Sequence, residues 1–172
     1  MAHEAQQDFC RDAKLRSPRH FTGAKVLDIG SLDLNGSNRE LFTGCLYLGV
    51  DRIAGKGVDV VGAAHALELP SNNFDVVIST EALEHDADWR LTLLTCRRVL
   101  KPGGLLLLTC ATTGRPEHGT HAHEAWASPG TLDYYQNLTE SDLRSVLSPE
   151  SGFEPFQFSV IGQDLRFWGI RR

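Results

Sequence analysis

Lys25-Val26-Leu27-Asp28-Ile29-Gly30 is a short apolar run that stops on a glycine, the pattern of a buried strand ending in a tight turn. Tyr47-Leu48-Gly49-Val50-Asp51 repeats it and closes on an acid, and Val58-Asp59-Val60-Val61 is a shorter third run. Phe74 to Ser79 makes a fourth, introduced by the turn-forming Pro70-Ser71-Asn72-Asn73. From Asp86 the period changes. Trp89, Leu93, Cys96 and Leu100 recur at helical spacing, with Trp89 and the leucines as core, and Lys101-Pro102-Gly103-Gly104 ends the helix. Leu105 to Cys110 is apolar at nearly every position and suits a central strand covered on both faces. Phe156–Ile161 and Leu165–Ile170, joined by three residues, close the chain as a hairpin. A capping box at Ser37 and Glu40 predicts a short helix through Phe42, and Thr139 opens another through Leu147. Strands alternating with helices require crossover connections, so the expected fold is α/β: a doubly wound, mostly parallel seven-stranded sheet with one antiparallel strand.

The 172 residues fit one domain, 1–172, with an amino-terminal helical segment over 1–20 and a long loop over 111–138. Hydrophobic residues at 41% and charged residues at 23% exclude a disordered, collagen-like or coiled-coil chain. The longest apolar stretch is too short to span a bilayer, and residues 1–20 are too polar for a signal peptide, so no membrane partner and a cytoplasmic location are expected. A net charge of −5 supplies no excess of positive charge for phosphates, so no nucleic-acid partner is expected. Cys10, Cys45, Cys96 and Cys110 are far apart and read as reduced thiols.

Open α/β sheets bind ligands beyond the carboxyl ends of their strands, near the point where strand order reverses. The loop after Gly30 is therefore the first candidate site. Glycine there lets the backbone turn sharply and approach a ligand, and the N–H groups near Ser37 can receive a carboxylate. Asp51, at the end of the next strand, is spaced to accept hydrogen bonds from ribose hydroxyls. An adenosine-type ligand follows. A dinucleotide is disfavoured, because the second and third glycines of G-x-G-x-x-G would fall at Leu32 and Asn35, and no phosphate-loop lysine motif occurs.

Val26-Leu27-Asp28-Ile29-Gly30, Asp51, Leu69-Pro70 leading to Phe74-Asp75-Val76-Val77, Leu83-Glu84-His85 and Arg98-Val99-Leu100-Lys101-Pro102-Gly103-Gly104 occur in order. In this the chain resembles a class I S-adenosylmethionine-dependent methyltransferase of the small group with an L-E-H segment, over about residues 24–110. The resemblance implies S-adenosylmethionine as cofactor. It places Asp28, Gly30, Ser31 and Leu32 against the methionine part, and Asp51 on the ribose. Arg52, Ala64 and His65 fall beside the adenine, and Ser79 and Thr80 near the sulfonium. The chain departs from the family at Leu32, where a second glycine is usual, and at Ala63, where an acid often meets the adenine amino group.

Methyl transfer from a sulfonium is an in-line displacement, so alignment does most of the work, contributing roughly 7–11 kcal/mol. A base is needed only where the nucleophile carries a departing proton. His118 is the first candidate, since imidazole titrates near neutral pH, with Glu81 as the second. As a plain alternative, His118 is a loop histidine bonded to backbone. His85, Arg115, Glu117, His121 and Tyr134 are the expected acceptor-side residues. Tyr134, Tyr135 and Trp126 form either an aromatic wall or ordinary packing. A metal site built on His121 and His123 with His118 or Glu124 is considered, but no metal ligand is assigned, because clustered loop histidines are commonly just polar. Glu84 and His85 read as stabilising local structure.

The expected function is methyl transfer to an oxygen or nitrogen of a small-molecule, glycan or carrier-bound acceptor, in a chain that acts alone, as a homodimer or with a partner enzyme. With no inserted lid, the acceptor pocket stays shallow unless loop 111–138 or a second subunit covers it. Two rivals are a methyltransferase-like docking module, favoured by Leu32 and Ala63, and a nicotinamide oxidoreductase, disfavoured by the missing glycines.

Overall fold

The computed structural model describes residues 4–172; residues 1–3 of the expected amino-terminal segment lie outside the described residues. Seven strands form one sheet: β1 Lys25–Ile29, β2 Leu46–Asp51, β3 Val60–Val61, β4 Phe74–Thr80, β5 Leu100–Ala111, β6 Phe153–Ile161 and β7 Asp164–Arg171. Their spatial order is β3-β2-β1-β4-β5-β7-β6. The first five run parallel, and β7 is antiparallel to both β5 and β6. The doubly wound sheet with one reversed strand is thus the observed architecture.

Side chains alternate across each strand, so each face builds its own core. On one face Leu27, Val77, Leu106 and Leu108 meet the apolar sides of α2 (Trp89–Val99) and α3 (Glu140–Leu147) through Trp89, Leu93, Leu143 and Leu147. On the other, Val26, Val76, Ile78 and Leu107 pack beneath Cys10 and Ala13 of α1 (Glu4–Arg16) and beneath Phe21. Each such fully buried leucine or isoleucine contributes roughly 1.5–3 kcal/mol. Trp89 is fully buried, as its spacing implied. Helix α3 begins at a capping box in which Thr139 and Asp142 satisfy each other's backbone N–H groups.

Four boundaries differ from the sequence reading. The helix expected after Ser37 is a single 3-10 turn, Asn38–Leu41, and Ser37 Oγ accepts from Arg39 N at 3.1 Å instead of forming a capping box. Only a few residues separate this turn from β2, too few for α-helical propagation. The third strand shrinks to Val60–Val61 because it pairs with β2 at two positions alone. The segment expected to end α2 begins β5: Leu100 pairs with Phe74, and the register shift between Phe74 and Val76 absorbs the glycines. Strand β6 starts at Phe153, opposite Arg171, three residues earlier than its alternation suggests.

Residues 112–138 fold back over the carboxyl end of the sheet. Leu138 N donates to Ala111 O at 2.9 Å, Gln136 N to Glu84 O at 2.8 Å and His121 N to Leu132 O at 3.1 Å. The loop is therefore fastened along its length to β5 and the L-E-H turn. Among the described residues no helix is long and apolar enough to cross a membrane.

Candidate functional site

The carboxyl ends of β1, β2 and β4 open onto a crevice, the position usual for small-molecule sites in open α/β sheets. It lies where strand order reverses, with β2 on one side of β1 and β4 on the other. Asp28, Gly30, Ser31 and Leu32 line it from β1, Asp51 and Arg52 from β2, and Ala63 and Ala64 from the turn after β3. The covering side comes from Ala127 to Thr131 of the long loop.

Asp28 is fully enclosed. Its Oδ2 accepts the Tyr47 hydroxyl at 2.7 Å, while Oδ1 has no hydrogen-bond partner. Burial pushes its carboxyl up to about 6, against the opposing pull of Tyr47. Ser31 Oγ is likewise buried and unpartnered. The Asp51 carboxylate accepts Leu32 N–H on one oxygen at 3.1 Å and Ile53 N–H on the other at 3.3 Å. Each oxygen keeps a lone pair for a ligand hydroxyl. Gly30 has φ +80°, and an added β-carbon would collide with Ala82, so the turn requires glycine. Arg52 is held at 2.7 Å by Asp86, which also receives the Thr92 hydroxyl at 2.6 Å.

A second cavity, open to solvent, adjoins the first and is lined by Arg115, Glu117, His118 and His123 among others. Glu81 lines both cavities. It follows β4 directly and holds a left-handed φ of +52°, a conformation that costs a non-glycine residue roughly 1–3 kcal/mol and clusters at functional sites. Burial, then the neighbouring Glu84, pushes its carboxyl up to about 8. Arg115 stands 3.9 Å from Glu81 and 2.8 Å from Asp164. His118 is buried, with Nδ1 3.1 Å from Pro116 O. Its ring meets those of His85 and Tyr135 edge-on, each at 4.9 Å. Burial, then the facing His118, pushes the His85 imidazole down to about 3.

The structure thus gathers Asp28, Gly30, Ser31, Leu32, Asp51 and Arg52, with Ala64, Thr80, Glu81 and His85, around the crevice. Glu81, Arg115, Glu117 and His118 meet at the second cavity. Four expected residues lie elsewhere. Ser79 shares the opposite sheet face with Val77, because neighbours on a strand point to opposite sides, and Thr80 takes the crevice position. His65 points toward the start of α2, 3.6 Å from Asp88. His121 is exposed beside Asp133 at 3.3 Å. The Tyr134 hydroxyl donates to Gln136 at 2.6 Å, and Tyr135 occupies the junction instead. Sequence reasoning also missed Asn38, which donates to Thr80 at 3.2 Å, and the loop residues over the crevice. The clustering of small and polar residues at 127–131 is the one signal that could have marked the latter.

A family model described as a methyltransferase domain matches residues 28–108, the stretch from the β1 carboxylate to β5. The ubiquinone biosynthesis O-methyltransferase of Dinoroseobacter shibae is 30% identical over 82% of this chain and 64% of its own length. In sequence the chain is thus similar to methyltransferases over most of its length. The methyltransferase of the same name from Caulobacter vibrioides is 28% identical over 86% of this chain and 66% of its own. The chain spans about two thirds of the length of the curated relatives it matches. In fold it resembles the Burkholderia thailandensis 1,6-didemethyltoxoflavin-N1-methyltransferase solved with S-adenosylhomocysteine. That likeness has a TM-score of 0.66 at 17% identity, over 97% of this chain and 80% of the other.

Proposed function

We propose that this chain binds S-adenosylmethionine in the crevice and transfers its methyl group to an oxygen or nitrogen of a small molecule held in the second cavity. One observation carries the reading: Glu81 belongs to both cavities, so donor and acceptor spaces meet at a single residue beyond β4. The crevice fits the cofactor. Asp28 Oδ1 and Ser31 Oγ are buried polar atoms left over for an amino-acid end, and Asp51 keeps lone pairs for ribose hydroxyls.

The bound cofactor supplies a sulfonium methyl: its carbon–sulfur bond breaks with the pair staying on sulfur, as the acceptor's lone pair forms the new bond. The chain's residues align the partners and keep water out. Residues 127–131 cover the crevice, and 115–118 with 122–124 line the neighbouring cavity. The long loop therefore acts as the lid of the donor crevice. A proton leaving an acceptor hydroxyl has two ionisable groups at that cavity, Glu81 and His118. The relatives are named as O-methyltransferases, which favours oxygen over nitrogen here. Four free cysteines support a cytoplasmic setting.

Titration calorimetry with S-adenosylhomocysteine and with NAD tests the donor side. S-adenosylhomocysteine binding that is lost in Asp51→Ala is expected, whereas NAD binding alone would reverse the reading and binding of neither would favour a docking module. Screening hydroxylated and amino acceptors with labelled methyl donor then tests the acceptor side.

A further inference from the structure

We propose that the groove between α1 and the β6–β7 hairpin binds a small organic monocarboxylate at Arg166. The walls of the groove follow from two periods. Phe9, Ala13 and Arg16 share one face of the helix. Ser159, opposite Arg166, and Gln157, opposite Trp168, share one face of the hairpin. None of these residues lines the donor crevice or the acceptor cavity.

Arg166 is only 6% exposed, yet among the described residues its guanidinium makes no hydrogen bond. Nε is sealed and unpartnered, which leaves Nη1 and Nη2 for the groove that Arg166 lines. Asp164 Oδ2 stands 3.8 Å from Nη2, beyond hydrogen-bond reach, while Asp164 Oδ1 accepts from Arg115 at 2.8 Å. The Phe9 ring centre, 5.7 Å from the guanidinium carbon, adds cation–π attraction but no acceptor. Trp168 Nε1, two residues along the same face of β7, is a second buried donor without a partner. The floor of the groove therefore holds donors short of acceptors. A buried cation in that condition is costly, and an anion entering the groove supplies what it lacks.

The two terminal nitrogens of one guanidinium match the two oxygens of a carboxylate, which accepts a parallel pair of charge-assisted hydrogen bonds. Arg16, exposed at the rim and hydrogen-bonded to Gln157 Oε1 at 2.8 Å, adds a second positive charge. Asp12, also exposed in the groove, sets the limit on the ligand: its carboxylate opposes a second negative charge, so a monoanion is favoured over a phosphate dianion. The remaining surface, from Phe9, Ala13, Ile161 and the Trp168 ring, is apolar and suits a hydrocarbon or aromatic body on that carboxylate.

Benzoate is the probe, titrated into the full-length protein by calorimetry beside benzyl alcohol and inorganic phosphate. Saturable benzoate binding at one site is expected, with weaker binding of phosphate and none of benzyl alcohol. Benzoate affinity should fall about tenfold or more in Arg166→Met. No saturable benzoate binding, equal affinity in the variant, or phosphate binding tighter than benzoate overturns the proposal. Should the variant misfold, the indole N–H signals of the wild-type protein in NMR spectra provide the test. A benzoate-dependent shift of the Trp168 signal supports the groove, and a shift confined to Trp126, which lines the acceptor cavity, overturns it. S-adenosylhomocysteine affinity should be the same with and without benzoate, and competition between the two also overturns the groove as the site.

Discussion

Leu32 lays its Cδ1 against Gly55, in the space that a β-carbon at residue 55 would occupy. The glycine absent from position 32 is thus compensated across the crevice mouth, and the bulky side chain turns toward the β2–β3 loop. Gly55→Ala pushes the end of that flexible side chain back toward the donor. S-adenosylhomocysteine affinity should fall about 3- to 10-fold, or roughly 0.7–1.4 kcal/mol, with little change in thermal stability. Adding Leu32→Ala should restore it. A double-mutant cycle by calorimetry checks this coupling, and additive effects would dissociate the two residues.

Asp28 couples stability to pH. Its carboxyl is raised from 3.8 to about 6 when folded. Between about pH 4 and 6 the folded chain keeps a proton that the unfolded chain has lost, so stability declines as pH rises through that window. The decline, about 3 kcal/mol, is complete above pH 6. Denaturation of wild type and Asp28→Asn across pH 4–8 should show this slope flattened in the variant. Donor affinity should also drop at least tenfold in Asp28→Asn, because Asp28 lines the crevice.

Tyr135 bridges His85 and His118, at ring separations of 5.4 and 4.9 Å, and its hydroxyl donates to Asn137 at 2.7 Å. Tyr135→Ala removes the packing that holds both imidazoles. Turnover should fall about tenfold and acceptor KM rise, a loss of about 1–2 kcal/mol. Calorimetry should find S-adenosylhomocysteine affinity unchanged, and an equal loss there would place Tyr135 on the donor side.

Gly119→Ala combines a left-handed backbone with two close approaches. Destabilisation of about 1–3 kcal/mol is expected by chemical denaturation. Because the strain falls on His85 and Ser128, which line the donor crevice, S-adenosylhomocysteine affinity should fall as well.

Strand and helix identities were legible because period and turn chemistry act over a few neighbouring residues. The run ending at Gly30, the acid after Val50 and the change of period after Asp86 each report their own surroundings. Together they specify a parallel sheet and the end of it that binds ligand. The donor-side residues were readable for the same reason, since Asp28, Gly30 and Asp51 sit at strand ends whose direction the topology imposes. Which groups meet on the acceptor side was decided by the return of residues 112–138 over the sheet. That path sets Tyr135 and His118 against His85 and leaves Tyr134 and His121 outside. Long-range loop closure depends on backbone bonds such as Gln136 to Glu84 and on space left by glycines such as Gly119. Neither leaves a periodic trace in the chain, so only the folded arrangement reveals them.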